Sequence, residues 1–188
     1  MMARLERESA CFEEAARQLA HLHPALHERL APDDLPAQKE LLAGRIRHAP
    51  QLSGTEREAA LQALARQPAG DRLCHGDFHP GNIMLSDQGP VIIDWLNATR
   101  GCPAADLARS SLLFLGHIET SEVPAEFRQA AQHFHQTYLD CYLEAAPTRR
   151  DAYHRWFPLM AAARLCEGIT EQEDWLRQQV REGLEVSR

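Results

Sequence analysis

Apolar residues in the first part of the chain recur with a helical rather than an alternating period. Between positions 6 and 23, Cys11, Phe12, Ala15, Ala16, Leu19, Ala20 and Leu22 form one stripe, and Pro24 is expected to end that helix. The same period predicts helices over 36–48 and 55–67, the second opened by Ser53-Gly54-Thr55 and stopped by Pro68. The stretch 31–36 reads as a loop. The pattern then changes. Arg72-Leu73-Cys74 is short and apolar, and 82–85 and 91–93 are apolar runs joined by Ser86-Asp87-Gln88-Gly89-Pro90, which predicts a β-hairpin. Helical periodicity returns over 104–116, 124–145, 148–168 and 170–184, with Pro103, Pro124 and Pro147 near helix starts, where a missing N–H costs nothing. The expectation is a mainly helical α+β unit with a small hairpin inserted.

A chain of 188 residues suits one domain, large enough to bury a core without disulfides or metals. No apolar run approaches the ~20 residues of a membrane helix, and alternating Arg and Glu over 4–8 is not a secretory signal. A net charge of −7 argues against nonspecific nucleic-acid binding, which needs a basic surface. The five cysteines (Cys11, Cys74, Cys102, Cys141, Cys166) contain no Cys-x-x-Cys pair, so neither a disulfide framework nor a zinc ribbon follows and a cytoplasmic home is expected. Lys39 is the only lysine.

Chemistry concentrates between His75 and Asp94, in His-Gly-Asp-Phe-His-Pro-Gly-Asn followed by the hairpin and Ile-Ile-Asp-Trp. A hairpin returns the end of its second strand to the start of its first. Asn82 and Asp94 are therefore expected to be neighbours, with Asp77 in the adjoining loop. Two carboxylates and an amide oxygen are hard ligands suited to Mg²⁺ that shares its shell with phosphate oxygens. Taken singly, Asp77 could accept backbone hydrogen bonds, Asn82 could be a turn residue, and Asp106, in the first turn of a helix, could be held by the helix dipole. Trp95 reads as core or pocket wall. A rival reading makes His75, Asp77 and His79 a zinc cluster, but leaves Asn82 and Ile-Ile-Asp-Trp unexplained. His133 and His135 lie two apart on a helix and are expected to face solvent.

The wording resembles the aminoglycoside phosphotransferase and choline kinase branch of the protein-kinase-like superfamily, whose loop reads His-Gly-Asp-x-x-x-x-Asn and whose metal motif reads Ile-Asp-Trp. Gly101-Cys-Pro-Ala-Ala-Asp106-Leu-Ala and Ala16-Arg-Gln-Leu-Ala-His-Leu-His23 are similar to further segments of that family. The resemblance implies a kinase-like C-terminal lobe: an opening helical segment over 1–70, the catalytic loop and metal-binding hairpin over 71–108, and a helical substrate-side part over 109–188. It implies Asp77 as the base facing a substrate hydroxyl, Asn82 and Asp94 as Mg²⁺ ligands, ATP or GTP as phosphoryl donor, and His75 and Asp106 as braces of the loop. It implies a small acceptor such as an aminoglycoside or amino alcohol, met by acidic side chains of the C-terminal helices. Glu167, Glu171 and Asp174 are candidates, with Glu173 and the run Glu119, Glu122, Glu126, Asp140 and Glu144 behind them.

The ten glycines never come within two positions of each other, so no Gly-rich phosphate loop is present, and Lys39 falls in a helical segment rather than on a strand. The expectation is a lobe without its N-terminal nucleotide lobe, with an apolar face near 6–23 and the hairpin that favours self-association or a partner. The alternative is a truncated, non-catalytic kinase-like lobe acting through a partner.

Overall fold

A computed structural model describes residues 2–120 and 124–185, with side chains from residue 12 onward. Seven helices and four short strands follow one another as α1 (Met2–His27), α2 (Gln38–Arg47), α3 (Gly54–Arg66), β1 (Arg72–Cys74), β2 (Ile83–Ser86), β3 (Gly89–Ile92), β4 (Thr99–Gly101), α4 (Pro103–Thr120), α5 (Ala125–Ala145), α6 (Arg150–Arg164) and α7 (Glu173–Leu184). The helices pack as α1 on α5, α4 on α5 and α6, and α6 on α7. Their shared core holds Leu107, Leu112, Tyr138, Tyr142, Trp156 and Leu159, all fully buried.

Pro24 does not end the first helix. It lies inside α1, which continues to His27. The buried face runs Ala16, Leu19, Ala20, His23, Leu26, His27, so the final turn is held by packing that outweighs the hydrogen bond proline removes. At α3 the capping box is complete: Ser53 Oγ accepts the Glu56 N–H at 3.2 Å, and Glu56 Oε2 accepts the Ser53 N–H at 2.7 Å. Glu56 is also buried against Arg181 of α7 at 2.6 Å. Burial raises its pKa, but the Ser53 N–H and Arg181 outweigh that and hold it at about 2. Lys39 sits on α2 and donates to the carbonyls of Ala65 and Gln67, closing the C-terminus of α3.

The strands form two nested antiparallel pairs. The outer ladder joins β1 to β4 (Arg72↔Gly101, Leu73↔Arg100, Cys74↔Thr99), and the inner hairpin joins β2 to β3 (Ile83↔Ile92 to Ser86↔Gly89). The hairpin tip is tighter than the sequence suggests, since Pro90 is already in β3. That position suits proline, because a two-stranded sheet has only edge strands. The two segments between the ladders, 75–82 and 93–98, are thus brought side by side.

Candidate active site

Gly76 opens the loop at φ +77, and a Cβ there would stand 2.3 Å from the Asn97 carbonyl oxygen, so only glycine fits this turn. Asp77 follows, with a quarter of its side chain exposed. Asn82 Nδ2 donates to the Asp77 carbonyl at 2.8 Å and to its Oδ2 at 3.2 Å, which leaves the Asn82 Oδ1 as an acceptor. The hairpin carries the other half: the Ile93 N–H donates to the Asn82 carbonyl at 2.9 Å, and Asp94 is the next residue. Asp94 is exposed and sits at φ 62 in the left-handed region, the sparsely populated backbone that proteins keep at functional turns. The structure thus links Asp77 to Asn82 directly, and Asp94 to Asn82 through the backbone.

His75 spans both segments. Its Nδ1 accepts the Asp77 N–H at 3.2 Å, so Nε2 carries the proton and donates to the Ile93 carbonyl at 3.0 Å. With both ring nitrogens engaged, His75 has no lone pair for zinc, and the His75–Asp77–His79 cluster loses a ligand. Trp95 lies against the His75 ring at 4.7 Å, is 39% exposed, and donates from Nε1 to the Ile92 carbonyl, so it forms a wall rather than core.

Beneath the loop Asp106 is wholly buried. Its Oδ2 accepts the His75 N–H at 2.7 Å and the Nε2–H of His23 and of His27, each at 3.1 Å, while Oδ1 accepts the Gly76 N–H at 2.7 Å. Each histidine is set by a tyrosine: His23 Nδ1 meets Tyr138 Oη and His27 Nδ1 meets Tyr142 Oη, both at 2.6 Å, and Arg149 donates to Tyr142 Oη. Burial, with repulsion from His27, pushes His23 down to about 3 against the pull of Asp106, and burial lowers His27 too. Burial would raise Asp106, but the two imidazole N–H donors hold it well below the usual carboxylate range. The result is an ionised carboxylate caged by neutral donors.

Among the described residues, His23, His27 and Asp106 are the group whose ligand atoms lie close enough to share a metal, within 4.8 Å. Their hydrogen bonds occupy the lone pairs a cation would need. The sequence places His23 at the end of a family-like segment but pairs neither histidine with Asp106. Their signal was spacing, since His23 and His27 continue the buried stripe of α1 and match Tyr138 and Tyr142, another pair four apart. His135 is a correction of the opposite kind. His133 is exposed, but His135 is buried and burial lowers it to about 4, because α5 is covered on more than one face.

Of the acidic candidates, Glu167 meets Arg109 of α4 at 2.7 Å and Arg164 of α6 at 3.1 Å, so both of its oxygens carry an arginine. Arg109 also donates from Nε to the Gly76 carbonyl, tying this ion cluster to the loop. Glu171 and Asp174 are exposed before and within the first turn of α7, and Glu119, Glu126 and Glu144 are exposed elsewhere, while Glu122 lies outside the described residues.

Among the described residues no helix is long and apolar enough to cross a membrane. Comparison with curated proteins returns no match. Among solved structures, a glucosamine kinase is similar at 22% identity and a TM-score of 0.46; the match covers 93% of this chain and 51% of the other, so this chain spans about half the length of that structure. The model of the phosphotransferase enzyme family, abbreviated APH, matches residues 2–147 and takes in both ladders, the loop and the Asp106 cage. That match spans well over half of the sequence, and the chain belongs to the phosphotransferase enzyme family.

Proposed function

We propose that this chain is the catalytic lobe of a small-molecule kinase that transfers the γ-phosphate of ATP or GTP to a hydroxyl. The observation that carries the reading is the pair of hydrogen bonds from Asn82 Nδ2 to Asp77, with Asp94 set one residue beyond the strand bond to Asn82. Asp77 accepts the proton of the acceptor hydroxyl and aims its oxygen at the phosphoryl group, work worth ~10²–10⁴-fold. Asn82 holds Asp77 in place through Nδ2, and His75 and Asp106 hold the loop backbone. The donor set fits magnesium: Asn82 Oδ1 and the exposed Asp94 carboxylate are hard oxygens without protein partners among the described residues, and they would hold the ion. Bound there with nucleotide, Mg²⁺ neutralises charge on the phosphates. Glu171 and Asp174 are free to meet a cationic acceptor such as an amino sugar or amino alcohol, whereas the charge of Glu167 is already matched by arginine.

The test is transfer from γ-labelled ATP and GTP to a panel of amino sugars and amino alcohols, by the wild-type chain and by Asp77→Asn. Transfer by the wild type that falls at least 100-fold in kcat in the variant, with nucleotide affinity little changed, supports the reading. A second reading, a non-catalytic lobe that works through a partner, is favoured by the apolar hairpin face that carries the paired Met84 and Val91, which are 54% and 43% exposed. Absence of transfer to any acceptor, with that face buried on association, would favour the second reading.

A further inference from the structure

Beside Gly76 of the catalytic loop lies a cavity that the phosphotransferase reading does not use. Arg45 from the last turn of α2, Arg109 from α4, Thr99 from β4, and Gly76 and Asn97 from the two loop segments line it. Its volume is about 30 Å³, room for about two water-sized volumes, and it opens to solvent.

Three features give the cavity its chemistry. Thr99 is 7% exposed, and its Oγ1 is buried without a hydrogen-bond partner, which destabilises the fold unless something in the cavity meets it. The Arg45 guanidinium makes no hydrogen bond or ion pair with any described residue. Arg109 spends Nε on the Gly76 carbonyl and Nη1 on Glu167, which leaves its Nη2 without a protein partner among the described residues. Asp106 also lines the space, but its oxygens are filled by four N–H donors. Glu167 is shared between Arg109 and Arg164. The lining residues carry two guanidiniums, Arg45 and Arg109, against one carboxylate, Asp106, and the groups left without partners are two guanidinium edges and a hydroxyl.

We propose that this cavity binds a small oxyanion, the head of a carboxylate or phosphate, between Arg45 and Arg109 with Thr99 Oγ1 donating to it. Guanidinium forks match such heads in pairs of parallel hydrogen bonds. The site is also mechanically coupled to the loop, because the Arg109 that holds the anion holds the Gly76 carbonyl at 3.2 Å. Occupancy is therefore felt at the peptide that leads into Asp77.

The test titrates inorganic phosphate and, separately, acetate into the full chain without magnesium, with chloride at matched ionic strength as the control. Thermal stability and the amide resonance of Asp77 are followed together. Saturable stabilisation by phosphate or acetate beyond chloride, with a shift of the Asp77 amide, is expected; which of the two binds more tightly identifies the head. Arg45→Gln removes a side chain that no described residue hydrogen-bonds, and should weaken binding about tenfold or more. Thr99→Val, which keeps shape and removes only the hydroxyl, should weaken it several-fold. Asp77→Asn should bind the anion as the wild type does, which separates this site from the phosphoryl-transfer site. Equal effects of chloride and phosphate would mean that the cavity holds only water, and wild-type affinity in Arg45→Gln would place the anion elsewhere; either result overturns the proposal.

Discussion

Asp94 and Asp106 are the same residue type twelve positions apart, and the fold treats them in opposite ways. Asp106 is 0% exposed and accepts four N–H groups from two segments of chain. Asp94 is exposed, sits in a left-handed backbone at φ 62, and finds no side-chain partner among the described residues. One carboxylate is spent on building the loop; the other is left open to solvent. The difference follows from where each stands. Asp106 enters on a buried helix whose neighbours supply donors, whereas Asp94 leaves a two-stranded hairpin that has no second layer over it.

The sharpest way to break the contrast is Asp106→Asn, which turns acceptor oxygen into a donor facing other donors. A loss of about 3–5 kcal/mol in urea unfolding is expected, and a loss below 1 kcal/mol would show that the cage is not built on this charge. Acid should act next. His23 is held at about 3 when folded and titrates near 6.5 when unfolded, so between these values only the unfolded chain takes up the proton. Stability is then complete above pH 6.5 and falls on acidification, by about 2 kcal/mol from His23 alone between pH 6.5 and 5. His27 acts in the same direction, and Asp106 adds to the loss at lower pH. Urea midpoints that stay flat from pH 7 to 5 would mean that the imidazoles are already charged in the fold.

A smaller effect belongs to Tyr142→Phe, which removes the hydroxyl joining Arg149 to His27. A cost of about 1–2 kcal/mol is expected, together with a changed His27 tautomer in nitrogen NMR. The smallest effect should have the opposite sign. Asp94→Gly relieves the left-handed backbone and should raise stability by about 0.5–1 kcal/mol while abolishing magnesium-dependent nucleotide binding. A loss of stability instead would give Asp94 a structural role like that of Asp106.

The hairpin and the loop were legible because their information is local. Asp87-Gln88-Gly89 marks a turn, the register follows, and Asn82 and Ile93 meet by geometry. Strand β4 was not legible: Thr99-Arg100-Gly101 has neither alternation nor β-branched density, and it is a strand only because β1 lies beside it. Pro24 misled because proline is a local signal and the α1–α5 packing that overrides it is not. The cage was hidden by distance along the chain, 115 residues in each His–Tyr pair, although the four-residue spacing within each pair was visible. Whether a buried histidine is paired depends on what the fold brings to it, which periodicity alone does not state.

That the two His–Tyr pairs share one sequence offset means that α1 and α5 run in the same direction and meet like the teeth of a vernier. Sliding one helix past the other by a turn, about 5.4 Å, would bring His27 opposite Tyr138 and keep one tooth engaged. It would also carry His23 to the level of Phe134 and strand Tyr142 beyond the last turn of α1. A single pair would tolerate such a slip. Two pairs converging on one carboxylate admit only one alignment, and the position of the loop above Asp106 is thereby calibrated by the registry of two helices.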